Sequence, residues 1–217
     1  MNFAEDPGFK THLIEALTAK YGKEREGIHV SDLVYCLREA YYRKTDPQPL
    51  SETDLMFFAD GAERHGVLEG LSGLQSEVKI EYGGVQGTVD IVGDYPVEIK
   101  STRSNKELPY HYFVQLGYYA AMLDSKVGIL LVQRLNNREA PWECLRVEWS
   151  PDEIKAIRAD LEERSMMLVA ALVTKNPAPL PKCELPPDEK GQPWKCRYCA
   201  FTKSCAELEE RKAKEAV

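Results

Sequence analysis

Residues 87–101 read GTVDIVGDYPVEIKS, and apolar residues alternate with other residues along most of this stretch. The apolar residues lie at odd positions and the charged residues at even positions: Val89, Ile91, Val97 and Ile99 against Asp90, Glu98 and Lys100. A period of two is typical of β-strands, and GDY at residues 93–95 supplies a turn. The stretch therefore predicts a β-hairpin with one apolar face and one charged face.

The charged face of this hairpin has two interpretations. If the turn lies at residues 93–95, Asp90 faces Glu98 and Thr88 faces Lys100, with Cβ atoms about 4.5 to 5.5 Å apart. Two carboxylates at that separation repel each other, so a cation must offset their charge. Lys100 offsets part of it, and Mg²⁺ or Mn²⁺, which favour carboxylate ligands, can offset the rest. The plain alternative is an ordinary hairpin whose charged face is solvated.

The composition limits the class of protein. The chain has 217 residues, of which 43% are hydrophobic and 29% charged, which is enough to bury one sizeable core with a small appended part. The sequence predicts neither a membrane-spanning run nor a signal peptide, so we expect no membrane association and a cytoplasmic location. The net charge of −7 argues against indiscriminate coating of nucleic acid, although it leaves room for a local basic groove.

Helix and strand signals follow one another along the chain. Helices are expected at residues 9–20, from Ser31 through VYCLREAYYRK, from Ser51 to about Leu71, over residues 108–123 and from Ser150 onward. Strands are expected at residues 76–82, 84–92, 95–101, 126–135 and 141–149. No phosphate-binding GxxxxGK[ST] loop occurs in the sequence, so a built-in ATP motor is not expected.

The six cysteines do not suggest a disulfide framework. Thiols stay reduced in the cytoplasm, so metal ligation or simple burial is favoured. Cys196, Cys199 and Cys205 follow the pattern C-x2-C-x5-C, which indicates a metal ion or a cluster. Cys144 alternates with apolar residues in PWECLRVEW and is expected to be buried. Cys183 lies in a proline-rich stretch, is expected to be in a loop, and is left out of the ligand set.

Two predicted helices carry further polar residues at informative spacings. In FADGAERHGVLEG, His65 follows Gly61 by four positions, and histidine is a frequent metal ligand. In VQLGYYAAML, Gln115 and Tyr119 are also four apart, so both project from the same helical face. Each feature alone is better explained by packing or by solvent exposure. Their order along the chain, together with the charged residues of the hairpin, is more specific than any one of them.

In this order the residues resemble the RecB-like branch of the PD-(D/E)XK nucleases. That branch carries a helical histidine, an aspartate after G-x-x, an E-x-K strand and a helix with Q-x-x-x-Y. The matching residues here are Gly61, His65, Gly87, Asp90, Glu98, Lys100, Gln115 and Tyr119. Val89 stands where the family name has proline, a departure that many members of the branch share.

This resemblance implies a role for each matching residue. Asp90, Glu98, His65 and the backbone carbonyl of Ile99 would hold a divalent ion, Mn²⁺ or Mg²⁺, against the scissile phosphate. Lys100 would orient the attacking water or stabilise the charge that develops in the transition state. Gln115 and Tyr119 would position the nucleic-acid strand or the lysine.

The cysteines narrow the resemblance to the CRISPR-associated Cas-four exonuclease family. Iron–sulfur members use one cysteine upstream of the nuclease core and three downstream, which correspond here to Cys36, Cys196, Cys199 and Cys205. The resemblance covers roughly residues 30–206 and implies a [4Fe–4S] cluster, with [2Fe–2S] as the alternative. Zinc is the competing metal, because zinc sites built from four cysteines are common.

The fold class implied is an α/β, restriction-endonuclease-like core with a mixed central sheet flanked by helices, plus a small iron–sulfur subdomain formed by both chain ends. The implied division is an N-terminal helical part at residues 1–50 that contributes one cluster cysteine, a nuclease core at residues 51–175 and a cysteine-rich segment at residues 176–217. An oligomer is compatible with this arrangement.

The implied function is a metal-dependent exonuclease that acts on single-stranded DNA or DNA ends. It would work from 5′ to 3′ and trim spacer precursors before the CRISPR integrase inserts them, so integrase proteins are expected partners. Two other functions stay open. One is a non-catalytic iron–sulfur adaptor that binds DNA ends and docks onto the integrase. The other is a RecB-like nuclease with a zinc site, acting in repair or for a phage.

Overall fold

The fold is organised around a six-stranded sheet, described by a computed structural model for residues 7–23, 25–183, 185 and 193–215. The strands are β1 (Ile28–His29), β2 (Gln75–Tyr82), β3 (Val85–Val92), β4 (Pro96–Thr102), β5 (Val127–Arg134) and β6 (Trp142–Glu148). The helices are α1 (Pro7–Tyr21), α2 (Val30–Val34), α3 (Leu37–Thr45), α4 (Glu52–Ser72), α5 (Tyr110–Met122), α6 (Pro151–Thr174) and α7 (Thr202–Glu215), with a 3₁₀-helix at Trp194–Arg197.

Strand β3 is the branch point of the sheet. One edge of β3 pairs antiparallel with β2 along its whole length. The other edge pairs in parallel with β1 near its start and antiparallel with β4 near its end. Beyond β4 the order continues with β5, which is parallel to β4, and β6, which is antiparallel to β5. The predicted mixed sheet flanked by helices is therefore confirmed.

The β3–β4 hairpin has the predicted register. Ile91 lies opposite Val97 and Val92 lies opposite Pro96, and the Gly93 amide donates a hydrogen bond of 3.3 Å to the Tyr95 carbonyl within the turn. The ladder consists of these two pairs. The strands therefore separate just before they reach the acidic residues of the charged face.

Two long helices begin where the sequence predicts. Ser51 accepts a hydrogen bond of 3.1 Å from the Asp54 amide at the start of α4. Ser150 accepts one of 3.2 Å from the Glu153 amide at the start of α6. In each case the acidic side chain reaches back to the serine amide, which completes a capping box.

The helix expected to begin at Ser31 is instead the pair α2 and α3, with the break at Tyr35 and Cys36. Ser31 is not the cap, because it lies inside the first turn of α2. The Asp32 carboxylate accepts a hydrogen bond of 2.9 Å from the His29 amide and so satisfies a free donor at that helix start. The break places Cys36 at the N-cap of α3.

The main core lies between the sheet and helices α2, α3, α5 and α6. Helix α5 approaches β5 closely at Gly128, where a Cβ atom would lie 2.9 Å from the Leu116 side chain. After α6 the chain returns to this core, since Leu180 is 1% exposed and packs within it. Burying a leucine of this kind stabilises the fold by about 1.5–3 kcal/mol. The segment before the C-terminal cysteines is thus attached to the N-terminal helices.

The longest helices are not uniformly apolar. Helix α4 has 21 residues and α6 has 24, and both carry acidic and basic side chains along their length. In the part of the chain that the structure describes, no helix has the length and apolar character needed to cross a membrane.

Candidate active site

The site begins where β3 and β4 separate. Just beyond the last ladder pair, one oxygen of the Asp90 carboxylate accepts a hydrogen bond of 2.7 Å from the Ile99 amide. A side chain therefore takes over the link between the two strands at this point. This contact holds the Asp90 carboxylate beside β4, in the opening of the sheet.

Glu98 lies on β4 and is 1% exposed. One of its oxygens is paired with the Lys100 ammonium, and the other has no hydrogen-bond partner among the described residues. Burial raises the pKa of Glu98 well above its usual range, although the charge of Lys100 opposes the rise. The alternative of a solvated charged face is wrong for Glu98, because the carboxylate lies inside the protein.

Lys100 is held by a chain of polar contacts from α5. Its ammonium donates a hydrogen bond of 3.0 Å to the Gln115 amide oxygen, and the Gln115 nitrogen donates one of 3.1 Å to the Tyr119 hydroxyl. Burial would lower the pKa of Lys100, but the charge of Glu98 and its hydrogen bond raise it. Lys100 is therefore a fixed cation beside an acidic group. The predicted helical pair Gln115 and Tyr119 thus meets the predicted strand residues.

Gly87 is required by this arrangement. A Cβ atom at position 87 would lie 2.9 Å from a ring carbon of Tyr119 and 3.2 Å from the side chain of Ile80. Only glycine lets α5 place the Tyr119 ring against β3 at this distance. Gly61, by contrast, has open space around it, with no atom within 4 Å of an added Cβ.

Helix α4 brings two more potential metal ligands to Asp90. The His65 Nδ1 atom lies 3.4 Å from an Asp90 carboxylate oxygen, and Glu69, one helical turn further along, joins them within 4.8 Å. Burial would lower the pKa of His65, but its hydrogen bond with Asp90 raises it. Burial and the Asp90 charge both raise the pKa of Glu69. A bound cation would relieve this concentration of negative charge.

Glu69 is the residue that the sequence reasoning missed. It follows His65 by four positions, so both side chains project from the same face of α4. That spacing was the available signal. A glutamate on a helix is nevertheless usually solvated, and nothing local shows that this one is only 9% exposed.

The donor set fits a divalent ion such as Mn²⁺ or Mg²⁺. Three ligands from α4 and β3 lie together, and Glu98 offers a buried oxygen that has no partner among the described residues. Carboxylate oxygens with one imidazole nitrogen are suitable ligands for Mn²⁺ and tolerable for Mg²⁺. The assignment of these residues as metal ligands, with the Ile99 carbonyl as a further ligand, stays a prediction.

A second cluster lies at the junction of both chain ends. A cavity of about 380 Å³ is lined by cysteines from α3, from the segment after α6 and from the C-terminal part: Cys36, Cys183, Cys196, Cys199 and Cys205. All of them are free thiols. The structure thus brings the predicted Cys36 to the three C-terminal cysteines, as a shared centre requires.

The charged residues that line this cavity form ion pairs with one another. Lys195 lies on its rim, pairs with Glu39 at 2.7 Å and sits 4.0 Å from the centre of the Tyr35 ring. Arg38 also lines it and pairs with Glu209 at 2.8 Å. Burial raises the pKa of Cys205 to about 11, so its ligating thiolate form needs a bound cation. The donor set therefore fits an iron–sulfur cluster or a zinc ion.

The two cysteines outside the predicted ligand set have different outcomes. Cys144 is exposed on β6, so its predicted burial is wrong. The inward side of β6 is formed by Leu145 and Val147, which pack against a buried cluster of Leu116, Leu130 and Val132. Cys144 lies on the opposite face of the strand. Cys183 does lie in a loop, but that loop borders the cavity of the four predicted ligands.

Comparison with known proteins supports the fold. No protein-family model and no curated protein matches the sequence. The chain is similar to the crystal structure of SSO0001, with a TM-score of 0.57 and 22% identity over 91% of this chain and 95% of that one. It thus shares the fold of SSO0001.

Weaker similarities are found to two other solved structures. One is the alkaline exonuclease LHK-Exo from Laribacter hongkongensis, with a TM-score of 0.49 and 15% identity over 75% of this chain and 95% of that one. The other is a phage-related exonuclease from Haemophilus somnus 129PT, with a TM-score of 0.40 and 12% identity over 66% and 83% of the two chains.

Proposed function

We propose that the protein is a metal-dependent nuclease that hydrolyses phosphodiester bonds in single-stranded DNA from an end. The observation that carries this proposal is the buried Glu98 carboxylate. One of its oxygens has no partner among the described residues, and the other is paired with Lys100. An unpaired buried oxygen beside a fixed cation is costly unless a ligand or metal uses it.

The residues have distinct tasks in this reaction. Asp90, Glu98, His65 and Glu69 would hold a divalent ion, which supplies polarisation of the phosphate and an activated water. Lys100 pairs with Glu98, and 19% of its side chain is exposed. Its ammonium would stabilise the charge that builds up on the phosphate. Its link to Gln115 at 3.0 Å keeps the ammonium in one position during the reaction.

The finer proposal follows the family resemblance. The protein would act in the cytoplasm, degrade from 5′ to 3′ and trim spacer precursors before the CRISPR integrase inserts them. The cysteines at positions 36, 196, 199 and 205 would bind a [4Fe–4S] or [2Fe–2S] cluster with a structural role. None of the residues that line their cavity is among the proposed ligands of the divalent ion, so cluster content and cleavage can be measured separately.

The test is DNA cleavage by anaerobically purified protein with Mn²⁺ or Mg²⁺, comparing single strands blocked at the 5′ or the 3′ end. The wild type is expected to degrade the strands that have an open 5′ end. Asp90→Ala is expected to lose cleavage and keep the visible absorption of the cluster. A wild-type protein that holds its cluster and cleaves no substrate with any metal would favour the adaptor instead.

A prediction concerns the path of the DNA strand towards this site. Phe57, which is 53% exposed, precedes His65 by eight positions on α4, about 12 Å along the helix. The Arg103 guanidinium, just after β4, lies 6.0 Å from the Phe57 ring. We expect the ring to stack on a base and Arg103 to bind the adjacent phosphate.

Phe57→Ala is accordingly expected to raise the KM for single-stranded DNA by about tenfold, since stacking contributes about 1–3 kcal/mol per base. Its kcat on bis(p-nitrophenyl) phosphate, which carries no base, should not change. Trp142→Ala is the control for an exposed aromatic residue outside α4, because Trp142 is 46% exposed and lies on β6. Equal effects of the two substitutions would contradict a stacking role.

A further inference from the structure

The cysteine cavity holds one thiol more than a four-cysteine centre uses. Cys36 lies at the N-cap of α3, Cys196 in the 3₁₀-helix and Cys205 in α7. Cys199 lies between the last two, and Cys183 approaches from the segment that follows α6. The position of Cys183 among these thiols determines what it can do.

Cys183 is the direct neighbour of Cys36, which is the one thiol of the five that comes from the N-terminal part of the chain. It lines the same cavity as Cys36 and Cys196, and its thiol interacts with the thiols of both. The sulfur atoms of Cys36 and Cys183 therefore lie side by side and both border Cys196. A metal atom bound in this cavity therefore has both sulfur atoms among its possible ligands.

The segment that carries Cys183 is fixed to the rest of the protein. The Leu180 side chain is buried in the core, and its carbonyl accepts a hydrogen bond of 3.0 Å from the Arg38 Nε atom. Lys182 pairs at 2.6 Å with Glu209, the same residue that binds Arg38. Leu180 is thus bound to α3 and Lys182 to α7, one residue on each side of position 181. These contacts, which need no metal, bring Cys183 to the cavity.

We infer that Cys183 is an exchangeable ligand that can replace Cys36 at the metal centre of this cavity. The inference rests on the proposed iron–sulfur centre. In the exchange, the Cys183 thiol gives up its proton and forms an Fe–S bond, while the Cys36 sulfur leaves the iron and takes up a proton. One Fe–S bond forms and one breaks, the number of thiolate ligands stays four, and no electron is transferred.

The exchange changes what the centre connects. With Cys36 as a ligand, the centre joins α3 to the C-terminal segment. With Cys183 instead, all four ligands lie within residues 183–205, and the centre no longer joins the two chain ends. A protein that lacks Cys36 is therefore expected to keep its iron but to have a lower thermal stability.

The test compares iron and acid-labile sulfide per chain, the visible absorption spectrum and the Tm of anaerobically purified variants. Cys36→Ala removes the thiol at the N-cap of α3, which is the N-terminal ligand of the proposed centre. Cys199→Ala removes a ligand that has no substitute in the inference. Cys144→Ala is the control for an exposed thiol on β6.

Cys36→Ala and Cys183→Ala are each expected to keep the iron content of the wild type, and Cys36→Ala to have a lower Tm. The double variant and Cys199→Ala are expected to lose iron by about tenfold or more, since loss of even a residue that only supports the ligands lowers metal affinity by about 10–100-fold. Loss of iron from either single variant to the level of Cys199→Ala would overturn the inference, as would retention by the double variant. A wild type without iron and sulfide would instead refute the proposed centre itself.

Discussion

Lys100→Ala is expected to lower the kcat for DNA cleavage by about 10²–10³, the usual cost of removing one preorganised group that stabilises transition-state charge. The ammonium is positioned for this by Glu98 on one side and by Gln115, at 3.0 Å, on the other. Alanine removes the charge and leaves the backbone of β4 unchanged. The measurement is the single-turnover rate of cleavage with saturating Mn²⁺.

A measurement of metal binding distinguishes a role of Lys100 in the transition state from a structural role. Lys100 is not a metal ligand in the proposed site, and its removal frees the Glu98 oxygen with which it pairs. The variant should therefore bind Mn²⁺ at least as tightly as the wild type in a titration, whereas Asp90→Ala should bind it more weakly. Lys126→Ala, at an exposed position before β5, is the control. A Lys100→Ala protein that cleaves at a rate close to the wild type would exclude the lysine from the reaction.

The hairpin could be predicted from the sequence because its signals are local. Alternation sets the face on which each residue lies, and the turn at residues 93–95 sets the register. The observed pairs Ile91↔Val97 and Val92↔Pro96 follow directly from these two features. Alternation cannot predict how deeply the charged side chains of the hairpin are buried. Glu98 is buried because α5 and the strand β5 cover β4, and both come later in the chain.

The remaining differences have the same physical origin. Glu69 becomes a candidate ligand only because β3 brings Asp90 beside α4. Cys144 is exposed because the inward parity of β6 is taken by Leu145 and Val147, and alternation alone does not say which parity faces the core. The approach of Cys183 depends on contacts of α3 with Leu180 and with α7, whose partners are more than a hundred positions apart in sequence.

The cysteines at the two ends of the chain show what residue spacing alone can predict about a metal site. C-x2-C-x5-C indicates a metal-binding segment without giving its fourth ligand. The resemblance supplied Cys36, and the structure places that thiol in the same cavity as the other three. Several contacts independent of any metal bring it there, including the stacking of Tyr42 on Phe201, with ring centres 5.7 Å apart, and the pair of Lys195 with Glu39.

Loss of the metal centre is therefore expected to loosen both chain ends without unfolding the sheet. Cys36 and Cys196 are 160 positions apart, and a cross-link over a loop of that length stabilises a fold by about 5 kcal/mol in the chain-entropy model. For a domain of this size, that corresponds to a decrease in Tm of about 10–20 °C. Cys199→Ala, or removal of the metal by a chelator, should show this decrease, and Cys144→Ala should not.

Hydrogen exchange can locate the effect along the chain. Amides of α3 and α7 should exchange faster in Cys199→Ala than in the wild type, because their contacts lose the support of the cross-link. Amides of β3 and β4 should keep their protection, since the sheet is stabilised by its own ladder and by α5. An unchanged Tm in a variant that has lost its iron would mean that the direct contacts between the ends suffice, and that the centre contributes little to the stability of the fold.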